Sequence, residues 1–169
     1  MTDNQTIEVG SADGYVWMRV SGKGSFAKTP GLKSYAEKCL EDGQNRFVVD
    51  LEECSMMDST FMGTLAGLAM RVAKTTGGCL QVAGASERNR QSLEDLGLDA
   101  LIDIEPQEAE WRDHLDEIRG KLEPLVERGD AADASHILKA HQELCDAHSA
   151  NLAKFATVLD VLEQQTHEG

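Results

Sequence analysis

The sequence predicts an α/β fold: a mixed, largely parallel sheet with flanking helices, followed by a C-terminal helical extension. Three observations predict it. Short Val-rich runs alternate with helical periodicity as far as Ile104, an order that requires crossover connections and therefore parallel strands. At the N-terminus two such runs are separated only by the turn-forming Ser11-Ala12-Asp13-Gly14, which adds an antiparallel hairpin. Beyond Pro106 strand signals cease and Glu, Asp, Ala and Leu dominate.

The hairpin strands are expected over Ile7 to Gly10 and Tyr15 to Ser21, with Gly22-Lys23-Gly24 breaking the second. Pro30 suits the first turn of a helix whose apolar positions are Leu32, Tyr35, Ala36, Cys39 and Leu40, and Asp42-Gly43 ends it. Arg46 to Leu51 is a compact apolar run, the signature of a strand buried on both faces. After Met56-Met57, Asp58-Ser59-Thr60 caps a helix that carries Leu65, Leu68, Ala69, Val72 and Ala73 on one face and stops at Gly77-Gly78. A strand over Cys79 to Ala83, a helix over Ser86 to Leu96 closed by Gly97, and a strand over Leu101 to Ile104 complete the sheet.

Two helices are expected in the tail, one from about Gln107 to Arg128 and one from about Ala131 to Gln165. Pro124 ends or bends the first. In the second, Ile137, His141, Leu144, His148, Leu152, Phe155, Leu159 and Leu162 form a stripe that is core or interface, including an interface in a homodimer built through the C-terminal helices. An antiparallel helix pair burying Leu144, Leu152, Phe155 and Leu159 is the expected arrangement.

Composition narrows the classes of function. The chain has 169 residues, 41% of them hydrophobic, and no apolar run approaches the roughly 18 residues of a membrane-spanning helix, so no membrane insertion is expected. The opening MTDNQTIEVG has neither a basic segment nor an apolar core, which leads to the expectation of a cytoplasmic protein without a secretory signal. Cys39, Cys54, Cys79 and Cys145 are scattered without a CxxC pair and read as reduced thiols. A net charge of -14 disfavours a nucleic-acid partner, because affinity for phosphates is built from Lys and Arg, and leaves a protein partner as the easier fit.

The run Val48-Val49-Asp50-Leu51-Glu52-Glu53-Cys54-Ser55-Met56-Met57-Asp58-Ser59-Thr60-Phe61-Met62-Gly63 resembles the central segment of the anti-sigma factor antagonist (STAS) family: buried strand, loop, D-S-[S/T], then helix. The resemblance extends over roughly residues 7–120, dividing the chain into a STAS-like domain, 1–120, and a helical extension, 121–169. It implies a non-enzymatic switch protein of transcription regulation whose partner is an anti-sigma factor with kinase activity. The second hydroxyl after the aspartate is then the phosphorylation site, Thr60, with Ser59 as the neighbouring acceptor. Asp58, Ser59, Thr60, Phe61 and Met62 become the partner-binding segment. Phe61 and Met62 replace the Gly-aliphatic pair common in that family, placing bulk beside the acceptor.

Independently of the resemblance, the start of a helix offers unsatisfied N–H groups and a positive dipole end to a phosphate, which adds about -1.5 to -2 charges at neutral pH beside Asp58. The same residues also serve as an ordinary helix cap. His141, Cys145 and His148 lie near one helical face at zinc-ligand spacing but without a fourth ligand, so buried interface histidines are the simpler reading and no metal is expected. No G-x-S-x-G elbow supports a Ser-His-Asp arrangement, and Ser21-Gly22-Lys23-Gly24-Ser25 lacks the P-loop pattern, so neither catalytic residues nor a cofactor is expected; ATP belongs to the partner. Glu105, Glu108 and Glu110 read as a solvated helix start, and Met56, Met57, Phe61, Met62 and Met70 as mostly core, with a subset near the helix start as an adaptable docking surface. The alternatives to a phosphorylation-switched module are a STAS scaffold or accessory subunit of a signalling assembly or transporter, and a small nucleotide-binding enzyme.

Overall fold

The computed structural model describes residues 5–27, 29–125, 134–151, 154, 155, 159 and 163. Strands β1 (Thr6–Ala12) and β2 (Tyr15–Gly24) form the N-terminal hairpin, in register from Thr6 opposite Ser21 to Ala12 opposite Tyr15. Asp13 and Gly14, at φ 54° and 82°, supply the left-handed pair that a two-residue hairpin turn requires. Helix α1 (Thr29–Glu41) leads to β3 (Arg46–Asp50), which pairs parallel with β2; β4 (Cys54–Met57) leads to α2 (Ser59–Ala73). Then follow β5 (Cys79–Ala83), α3 (Glu87–Asp95), a 3-10 turn (Leu98–Ala100) and β6 (Asp103–Ile104). The sheet order is β6-β5-β3-β2-β1, all parallel except β1, which is antiparallel to β2.

Side-chain alternation along the strands builds two cores. Val16, Met18, Val20, Phe47, Val49, Leu80 and Val82 point to one face, where Leu32 and Ala36 of α1 and Leu65, Ala69 and Val72 of α2 cover them. Tyr15, Trp17, Val48 and Ala83 point to the other, where they meet Trp111 and Ile118. Trp17 and Trp111 pack edge to face at 5.5 Å, and Trp111 Nε1 donates to Gln81 Oε1 at 2.8 Å.

Four expectations are corrected. Gly22-Lys23-Gly24 does not end β2: Gly22, at φ 83°, bends the strand through a register shift, and its far end pairs parallel with β4. Cys54–Met57, without a β-branched residue, gives no strand signal in the sequence. The helix expected from Gln107 to Arg128 is instead a 3-10 turn (Glu110–His114), a short α4 (Leu115–Gly120) and β7 (Glu123–Pro124), which pairs antiparallel with β1. Pro124 is tolerated there because β7 lies at the sheet edge. Glu105, rather than marking a solvated helix start, sits at φ 54° with Oε1 accepting from Ala85 N at 2.7 Å and Oε2 3.4 Å from Arg112.

The tail differs as well. Helix α5 (Ala134–Ala147) ends at a turn over residues 148–150, and the helical residues described beyond it are Asn151, Lys154, Phe155, Leu159 and Glu163. Among the described elements its principal partner is α2, and Phe155 beyond the turn meets His141 of α5. Leu144 is fully buried in the main core and Phe155 packs on that core, whereas Leu152 and Leu162 lie outside the described residues. No helix among the described residues is long and apolar enough to cross a membrane.

Candidate functional site

The connection from β4 into α2 is fixed by one carboxylate. Asp58 Oδ1 accepts from Phe61 N at 2.8 Å, closing the N-cap, while Oδ2 accepts from Phe26 N at 2.9 Å. Its own N–H donates to Gly24 O at 2.8 Å, so β2, the loop after it and the start of α2 meet at this residue. Phe26, 44% exposed, is the large exposed hydrophobic side chain among the described residues. Sequence reasoning passed over it because it follows the Gly-rich stretch rather than an apolar pattern.

The proposed acceptor hydroxyls lie in the first turn of α2 in different surroundings. Thr60, the acceptor that the resemblance implies, is only 5% exposed, so little of its side chain reaches solvent. Ser59 is half-buried, and its Oγ lies 2.8 Å from His141 Nε2. His141 Nδ1 is 2.8 Å from the carbonyl oxygen of Ile137, an acceptor only, so Nδ1 carries a proton. In the neutral ring Nε2 therefore accepts from the Ser59 hydroxyl. Phe155 closes over the imidazole edge to face at 5.0 Å, leaving His141 4% exposed. Phe61 and Met62, expected in the partner-binding segment, instead belong to the main core at 0% and 7% exposure.

Helix α5 approaches α2 along Ser59, Gly63 and Gly67, positions i, i+4 and i+8 on one face. A Cβ at Gly63 would stand 2.1 Å from the Ala140 carbonyl oxygen, so the contact requires glycine. Past the end of α5, Asn151 is fully buried and its Nδ2 donates to the carbonyl oxygens of Leu96 and Leu144, each at 2.9 Å. Cys145 and His148, grouped with His141 by spacing, do not join it: His148 is exposed beside Gly97, and no His/Cys/Asp/Glu cluster fit for a metal occurs among the described residues.

A second polar cluster lies on the opposite face of the sheet. Asp50 is fully buried, with Arg119 Nε at 2.7 Å from Oδ2 and Arg119 Nη2 at 3.1 Å from Oδ1, a bidentate pair. Trp17 Nε1 donates to Oδ2 at 3.2 Å, and Arg19 Nη1 stands 3.6 Å away. Burial lowers the Arg119 pKa, but hydrogen bonds to Asp50 and the charges of Asp50 and Glu52 outweigh it, for a net rise. The cluster clamps α4 to β3.

The family model for the STAS domain matches residues 6–111. An anti-sigma-B factor antagonist of Staphylococcus aureus is 28% identical over 101 residues, covering 60% of this chain and 93% of that relative. The crystal structure of an anti-sigma factor antagonist from Mycobacterium paratuberculosis shares the fold at 24% identity and a TM-score of 0.55, covering 70% of this chain and 97% of that one. The Bacillus cell fate determinant SpoIIAA in its phosphorylated form superimposes at 18% identity and a TM-score of 0.50, covering 67% and 99%. With the matched span running from β1 through the two-faced sheet to Trp111, the chain belongs to the STAS-domain family.

Proposed function

We propose that the protein is an anti-sigma factor antagonist, a binding module that engages an anti-sigma factor kinase through the start of α2 and is released when that partner phosphorylates it there. The observation that carries this reading is Asp58-Ser59-Thr60 at the start of α2: two first-turn hydroxyls behind a cap, inside the span matched to the family. The partner class is supported by the Staphylococcus relative, named for antagonism of an anti-sigma factor, and a phosphorylated state by SpoIIAA. Exposed Phe26, held by Asp58, gives this surface an apolar contact.

In the proposed switch the kinase transfers the terminal phosphoryl group of ATP to a hydroxyl oxygen, the hydroxyl proton leaves and ADP is released. The resemblance assigns Thr60 as acceptor, with Ser59 as its neighbour. The dianion would draw on the helix dipole and the first-turn amides that Asp58 leaves free, while adding charge beside the Asp58 carboxylate. A docking partner would then meet concentrated negative charge. Catalysis belongs to the partner, and this chain supplies the acceptor and the interface.

The burial of Thr60 favours a second reading, a constitutive scaffold or accessory subunit never modified at this position. Capture of partners on the full-length protein, followed by ATP and mapping of the modified residue by mass spectrometry, separates the two. The switch predicts an ATP-binding anti-sigma factor and phosphate on Thr60 or Ser59. A partner without kinase activity, and no phosphate on either, favours the scaffold.

A further inference from the structure

We infer that the tail from α5 onward is a cis-acting cover, which occupies the α2 face beside the candidate switch and must detach before that face is modified or engaged. The inference rests on the reading of α2 as the docking element. The sequence of α2, STFMGTLAGLAMRVA, is apolar almost all round, and its buried residues include Gly63 and Gly67 on the side away from the sheet as well as Leu65, Ala69 and Val72 against it. Such a helix needs a second cover besides the sheet. Here that cover is α5, which lies beyond the span matched to the family, residues 6–111.

The contacts place the cover at the switch end of α2. His141 takes the Ser59 hydroxyl at 2.8 Å, and Ala140 lies against Gly63 one turn on. A phosphate on Ser59 Oγ cannot share a gap the length of one hydrogen bond, so modification there and the docked helix exclude each other. By reciprocity, whatever binds this face of α2 weakens the tail, and the docked tail weakens its binding by the same factor. Tethering gives the tail a high effective concentration in this competition. Its distal anchors, Asn151 on Leu96 and Lys154 on the Asp95 carbonyl, lie on α3 and its C-cap, away from Ser59.

Accessibility at position 59 tests the cover without any partner, so its failure is distinguishable from failure of the proposed switch. Ser59→Cys is introduced into the full chain alone and together with Gly63→Ala, and its alkylation by iodoacetamide is followed by peptide mass spectrometry. Gly63→Ala favours α2 itself, since Ala is the better helix former, but drives a methyl group into the Ala140 carbonyl. Labelling at position 59 is expected to accelerate roughly tenfold or more, the scale on which overpacking a tight contact shifts an equilibrium. Buried Cys39 and Cys54 report on the fold and should stay unlabelled. Should they react, Asn151→Ala, which removes the bonds to the Leu96 and Leu144 carbonyls and leaves the contacts of α5 with α2 in place, replaces Gly63→Ala with the same expectation. Equal labelling with and without the loosening substitution overturns the cover.

Discussion

The hydroxyl of Ser59 lies 2.8 Å from Nε2 of His141, 82 positions along the chain. With Nδ1 donating to Ile137, the arrangement predicts a single imidazole tautomer, protonated at Nδ1. Nitrogen-15 NMR of the imidazole should find it, and Ser59→Ala should broaden or shift the Nε2 resonance alone. A ring protonated at Nε2 in the neutral form contradicts the assignment.

Fully buried Asp50 and half-buried Arg119 form the ion pair that holds α4 to the sheet. Arg119→Ala should destabilise the fold by about 3 kcal/mol in urea unfolding, the low end of the range for leaving one partner of such a pair, because Trp17 and Arg19 remain near the carboxylate. Lysine at position 119 should restore little, since it lacks the two-pronged geometry.

Asp58 caps α2 and tethers Phe26. Asp58→Ala should cost about 1–2 kcal/mol, as loss of a well-formed N-cap does. Asparagine should recover most of it, retaining an acceptor for Phe61 N. Circular dichroism during thermal unfolding measures both variants.

Tyr35 is pushed up to about 12, first by burial and then by the neighbouring Cys39. Its folded pKa lies above the ordinary value of 10.0, so its contribution to stability is full below pH 10 and is lost as pH rises through 12. Ultraviolet titration should show a late ionisation that Tyr35→Phe removes and that moves to the ordinary range on unfolding.

Apart from β4, the order of strands and helices up to Ile104 was legible because local signals agreed with the fold: Val-rich runs became β2, β3 and β5, Ser86 capped α3, and Gly97, at φ 72°, ended it. Expectations failed where tertiary contacts decide. Met56 and Met57 lie in a strand only because bent β2 offers them an edge, and Glu123-Pro124 pairs only because β1 does. At the candidate site, the cap at Asp58 was readable from residue type, and the family pattern marked the segment proposed here for phosphorylation. The burial of Thr60 and the partner of Ser59 were not: local sequence carries no trace of a contact spanning 82 positions, although His141 on an apolar stripe marked a buried histidine.

The most direct test of the switch is the affinity of the captured anti-sigma factor for this protein before and after phosphorylation in the first turn of α2, measured by calorimetry on the full chain. Thr60→Ala and Thr60→Asp serve as the unmodifiable form and the single-charge mimic. The switch predicts tight binding by wild type and Thr60→Ala, weaker binding by Thr60→Asp, and the weakest by the phosphorylated protein, through repulsion and desolvation at the interface. Equal affinity of all four forms would contradict it.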